Sequence, residues 1–138
     1  MAHPLMFDDD DPLLARVRAI ALALPDAAEK ISHGHPAFYT TKVFAYFGGS
    51  IRRDGEWIAY RASVVVLADP EERQALLEDP RCYLPAYLGP SGWVGVQLSD
   101  EDDAAGTTDW QEVAELIETS YRLTAGVRRV ARLDVARR

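Results

Sequence analysis

Two histidines flank a glycine at His33-Gly34-His35, and the one cysteine of the 138-residue chain, Cys82, lies further on. On an extended segment, side chains two apart point to the same side, so His33 and His35 can share a metal, with Cys82 or a carboxylate as third ligand. Metal sites ordinarily declare three or four ligands, and no second ligand pair stands in the sequence. The simpler expectation is a bend before Pro36 in which both rings hydrogen-bond, near Glu29 and Lys30, with no metal and no cofactor. Lys30, His33 and His35 are kept as a candidate ligand pocket. Cys82 can imitate a thiol nucleophile, yet a lone cysteine entering a strand is ordinarily a small buried apolar residue. No strand-GxxxxGK[ST]-helix loop, GxGxxG or GxSxG occurs, so nucleotide-dependent and hydrolytic enzymes lack their usual signatures and no catalytic residue is assigned.

Cations are segregated along the chain. Residues 122–138 hold Arg122, Arg128, Arg129, Arg132, Arg137 and Arg138 against Asp134 alone, a net +5, which leaves −12 for the rest of a chain whose formal charge is −7. A protein coated in positive charge is excluded, but a dipolar one can still meet a polyanion with one end. Arg52 and Arg53 sit on the turn between the second and third strands, where a hairpin tip presents guanidinium groups to solvent. The competing expectation is a solvated surface with Arg129 and Arg132 folded back onto the acidic body. Tyr83, Tyr87 and Trp93 are placed on one sheet face, which a partner subunit, the C-terminal tail or a stacked ligand would cover.

The elements that position these groups follow from periodicity. Asp11 caps and Pro12 opens a first helix, with Leu13, Leu14, Val17, Ile20, Ala21 and Leu24 at helical spacing and Pro25 closing it. Phe38–Thr40, Val43–Phe47 and Trp57–Val66 predict three antiparallel strands, with Gly48-Gly49 and Asp54-Gly55 marking the turn between the last two. Asp69 and Glu72 predict a capped second helix ending at Pro80. Cys82–Leu88 and Trp93–Leu98 predict two strands joined at Gly89–Gly92, with Leu84, Ala86 and Leu88 facing the helices beside Val94, Val96 and Leu98. Pro85 marks an edge or a bulge. Ser99–Thr107 reads as a mobile acidic loop. Thr108 with Gln111 predicts a capping box for a third helix bearing Trp110, Val113, Ala114, Ile117 and Tyr121, with Gly126 as its cap.

The order is α-β-β-β-α-β-β-α followed by a basic tail, 127–138, and preceded by an acidic arm, 1–10. Strands and helices do not alternate singly, so the expected class is α+β: one two-layer domain over 1–138, an antiparallel sheet with helices on one face. A hydrophobic fraction of 48% supports one core at this length. One cysteine and no leader pattern make a reducing cytoplasm the default location, and no apolar run is long enough to span a bilayer.

Several strings in this sequence resemble the MmcQ/YjbR family. They are Leu24-Pro25, then Glu29-Lys30-Ile31-Ser32-His33-Gly34-His35-Pro36-Ala37-Phe38, then Lys42-Val43-Phe44-Ala45. Later blocks are Pro85-Ala86-Tyr87-Leu88-Gly89-Pro90, Gly92-Trp93-Val94-Gly95, Asp109-Trp110 and Ser120-Tyr121-Arg122-Leu123. The blocks appear in order, and the resemblance covers about Leu13 to Leu133. The resemblance implies an α-β3-α-β2-α secretion-chaperone-like fold. It also implies DNA binding by two projecting β-hairpins, here around Gly48–Gly55 and Gly89–Gly92. It carries no catalytic residues, and this chain departs from it at Gly126-Val127 and in a second wing tip without a cation. Three roles follow, in this order. A DNA-binding module would use Arg52, Arg53, Tyr87, Trp93, Arg122, Arg128, Arg129 and Arg132, with affinity that falls as salt rises. A protein-binding or chaperone-like homodimer would use the aromatic face. A small-ligand protein or enzyme would have its cleft near His33 and His35.

Overall fold

The computed structural model describes residues 4–99 and 107–138. The expected acidic loop therefore lies almost wholly outside the described residues, as does the very start of the acidic arm. Helix α1 (Pro12–Ala21) begins as expected, with the Asp11 carboxylate accepting from the Leu13 amide at 2.8 Å and Pro12 at the first helical position. It buries Leu14, Val17 and Ala21 and stops a turn before Pro25.

Six antiparallel strands follow: β1 (Ala28–Ser32), β2 (His35–Tyr39), β3 (Val43–Arg53), β4 (Glu56–Leu67), β5 (Cys82–Tyr83) and β6 (Trp93–Gln97). Their order across the sheet is β1-β2-β3-β4-β6-β5. Strand β1 was not expected, because its residues, AEKIS, carry neither an apolar alternation nor β-branched density. It pairs with β2 around a two-residue turn, His33-Gly34, both at positive φ (51° and 85°), with Ser32 opposite His35. That is the hairpin geometry in which both central residues are left-handed. The bend before Pro36 is therefore real, and the two histidines do not share one side of an extended segment.

The expected turn at Gly48-Gly49 is corrected as well. Strands β3 and β4 run straight past it to Asp54-Gly55, whose φ values of 52° and 80° suit a two-residue loop between Arg53 and Glu56. Gly48, at φ 87°, instead sits where the β3–β4 register slips. Helix α2 (Arg73–Glu78) starts late, since the Asp69 carboxylate accepts from the Glu71 amide instead of joining Glu72 in a capping box. The expected strand Cys82–Leu88 ends after two residues; Pro85 interrupts it, Gly89–Ser91 form a 3-10 turn, and Leu84 is exposed. Helix α3 (Trp110–Thr124) is capped by Asp109, not Thr108. The basic tail is a full helix, α4 (Val127–Ala136), which buries Leu133 in the core and so does not cover the aromatic sheet face.

The helices pack on one sheet face against Phe38, Phe44, Phe47, Val64, Val66, Val96 and Leu98. Tyr121 is wholly buried, edge-on to Phe44 at 5.4 Å, and its hydroxyl donates to the Pro25 carbonyl at 2.8 Å. Beside it the buried Ser120 hydroxyl donates to the Phe44 carbonyl at 2.6 Å and accepts from the Leu67 amide at 3.0 Å, pinning α3 to two strands. Replacing Ser120 by alanine strands both backbone groups, so about 2 kcal/mol of stability should be lost in urea denaturation.

Candidate functional site

The sheet face away from the helices holds a groove of about 550 Å³. Strand geometry builds its floor. Tyr46 pairs with Val65, and Val65 in turn with Gly95, so these positions share the face opposite Phe47 and Val64. Tyr83 reaches across this face only because two neighbours lack side chains. A Cβ on Gly95 would lie 2.2 Å from its ring, and one on Gly49 would lie 2.4 Å from its hydroxyl. The Tyr83 hydroxyl is 2.8 Å from the Ser63 hydroxyl, and its ring stacks on Tyr60 at 4.2 Å. Burial pushes the Tyr83 phenol up to about 12, against the opposing effect of the Ser63 hydrogen bond.

Two irregular segments wall the groove. The loop after β5 is held over β3 by the Ala86 amide, which donates to the Ser50 carbonyl at 2.9 Å. In it, Tyr87 takes a left-handed conformation (φ 65°), is 82% exposed, and places its ring 5.7 Å from Trp57. The opposite wall is the segment Pro4–Met6, tied to the β1–β2 turn by the Met6 amide, which donates to the Gly34 carbonyl at 2.9 Å. Gly34 admits no side chain, since a Cβ would stand 2.3 Å from the Pro4 carbonyl oxygen.

His33 and His35 both line this groove. The Nδ1 of His35 is 3.2 Å from the Phe47 carbonyl oxygen, which can only accept, so Nδ1 carries the proton and Nε2 of the neutral ring is an acceptor. Burial is the main cause that lowers the His35 pKa; the charges of Arg61 and His33 add to it and the Phe47 carbonyl opposes it. A histidine kept neutral by folding makes the unfolded state bind more protons. Stability should therefore be fully present above about pH 6.5 and decline as the pH falls below it. Thermal melts from about pH 7.5 to pH 5 should show this decline, and His35→Asn should flatten it.

Lys30 does not join the histidines: its ammonium sits 4.7 Å from the Tyr39 ring centroid, outside the groove lining. Burial pushes the half-buried Cys82 thiol up to about 11, which keeps it protonated. Among the described residues no three His, Cys, Asp or Glu side chains are grouped to hold a metal.

The candidate nucleic-acid residues fall into two separated sets. On the helix side, Arg122 pairs with Glu118 at 3.3 Å and Asp134 at 2.7 Å, and Arg129 pairs with Asp26 at 3.0 Å. Arg132 joins Asp26 too, and Arg137 meets Glu118. Hydrogen bonds from Arg132 and Arg129 hold the Asp26 carboxyl below its ordinary range. Arg128 is exposed on the same helix. On the other side, Arg52 and Arg53 end β3, with the Arg52 guanidinium 5.2 Å from the Trp57 ring centroid. Arg129 also bonds Thr41, just before β3, so the length of that strand puts about 30 Å between the two sets. Trp93 stands 5.6 Å from Tyr46 and backs the groove floor, while Tyr87 forms part of the rim.

Tyr46, Val65, Trp57 and the Pro4–Met6 wall were not among the sequence candidates. The phase of Tyr46 against Phe47 was the available signal for the first; nothing local announces the wall.

The family model described as YjbR matches residues 22–123. A crystal structure of a protein from Pseudomonas syringae, a Northeast Structural Genomics Consortium target, aligns with a TM-score of 0.56 at 16% identity, over 83% of this chain and 98% of that one. At that identity the likeness shows the fold alone. A comparison with curated proteins finds no match.

Proposed function

The chain belongs to the YjbR family, and from that premise we propose that it is a binding protein whose ligand is a small, flat, largely apolar molecule held in the open-face groove. One observation carries this reading. In a molecule of formal charge −7, the groove is lined by aromatic and aliphatic side chains, two serines and two histidines, and among the described residues no carboxylate, lysine or arginine lines it. Its volume is that of ordinary small-molecule sites, and a few convergent polar groups, Nε2 of His35 and the hydroxyls of Ser32 and Ser50, are available to orient a guest.

Duplex DNA is the second reading, supported by Arg52 and Arg53 at an extended hairpin tip beside Trp57 and Tyr87. It has less support than the groove. Phosphate binding draws on cations gathered along one surface, whereas four of the α3 and α4 arginines are engaged by Glu118, Asp26 or Asp134, far from that tip. A homodimer closing over the same apolar face is the remaining occupant.

Fluorescence titration with phenylnaphthylamine, a neutral flat probe, separates the three. Saturable one-to-one binding that weakens in Trp57→Ala supports the groove. Tight binding of labelled duplex at low salt without probe binding would favour DNA. A dimer in sedimentation that excludes the probe would favour self-association. Among the described residues no helix is long and apolar enough to cross a membrane.

A further inference from the structure

We propose that the groove selects a planar aromatic anion, an aryl carboxylate or sulfonate, whose ring lies against Trp57 and Tyr87 and whose charge is met by Arg52 and Arg61. The inference rests on the groove being a binding site and adds the charge class of its ligand. Arg52 reaches over the Trp57 ring, which itself forms a tilted pair with Tyr87 at 5.7 Å, so one guanidinium stands at the edge of an aromatic wall. Arg61 belongs to the irregular part of β4: its carbonyl abuts Gly48, and its charge is felt by His35 inside the groove. Both arginines are exposed, and no carboxylate among the described residues forms an ion pair with either. They differ in this from the α3 and α4 arginines held by Glu118, Asp26 and Asp134. The carboxylates of the same hairpin, Asp54 and Glu56, sit at its tip, and Glu56 stands opposite Arg53, not Arg52. A groove wall that has no negative charge among the described residues, flanked by two guanidinium groups without a carboxylate partner among those residues, is complementary to an anion, although the whole molecule is acidic.

The test compares anilinonaphthalene sulfonate with phenylnaphthylamine, which share the arylamine and the fused rings and differ in the sulfonate. At low salt the anion should bind about tenfold more tightly at one-to-one stoichiometry, and added salt should erode that preference. Arg52→Gln with Arg61→Gln should bring the two affinities together, with the loss falling mainly on the anionic probe. Circular dichroism and melting of the double variant should match the parent, since both side chains are exposed. Equal affinities in the parent, or a preference that survives the double substitution, would overturn the charge assignment and leave the groove standing. Failure of both probes to bind would overturn the groove reading, and this inference with it.

Discussion

Replacing Gly95 by alanine is expected to cost about 3 kcal/mol of folding stability, because overpacking and the loss of a buried hydrogen bond act together. A methyl group there meets three atoms of the Tyr83 ring, the nearest at 2.2 Å. The ring has no alternative place on this face: it is stacked on Tyr60, and its hydroxyl is fixed to Ser63, which is itself wholly buried. Urea denaturation measures the loss. Tyr83→Ala supplies the control, since the cost of Gly95→Ala should shrink substantially when the ring is already gone. Equal costs in the two backgrounds would mean that Gly95 is required for its backbone and not for the tyrosine above it.

Removing the aromatic rim should abolish most ligand affinity while leaving the fold intact. Trp57 and Tyr87 are 49% and 82% exposed, their rings are 5.7 Å apart, and neither belongs to the core cluster. The double variant Trp57→Ala, Tyr87→Ala should lose about 2 kcal/mol of binding, roughly thirtyfold in the dissociation constant of the neutral probe. Its melting temperature should stay close to the parent's, because exposed side chains contribute little to the core. A variant with parental probe affinity would place the ligand elsewhere.

Helices α1 and α3 were readable from the chain because their signals are local. Asp11-Pro12 before a stripe of leucine and valine, and Trp110 to Tyr121 at helical spacing, each fix an element without reference to anything distant. The Asp54-Gly55 turn was equally legible as a dipeptide suited to two left-handed residues. The α+β class follows from such signals, whereas the family was legible only through the resemblance of whole motif strings. Where the reading failed, tertiary context decided. Strand β1 is polar because it lies at the sheet edge, where Glu29 turns to meet Arg18 at 2.8 Å instead of entering a core. Gly48-Gly49 looked like a turn, yet these glycines serve close approach: His35 packs on one and Tyr83 on the other.

The groove was only half visible for the same reason. His33 and His35 stood out as a motif, but what they face is set by the pairing of β1 with β2 and by a wall contributed from residues 4–6. The arginine count at the C-terminus was conspicuous, whereas the carboxylates that engage those arginines, Asp26 and Glu118, lie on a loop and on a neighbouring helix. Charge segregated along a sequence becomes a surface feature only if the fold keeps opposite charge away, and here it does not.

The most direct measurement is an amide and indole NMR titration of the folded protein with the aromatic anion probe. Saturable shifts are expected, confined to the Gly48, Gly49 and Ser50 amides, the Trp57 indole and the residues around Tyr87, with the amides of α4 unmoved. Shifts concentrated on Arg128, Arg129 and Arg132, with the groove silent, would contradict it.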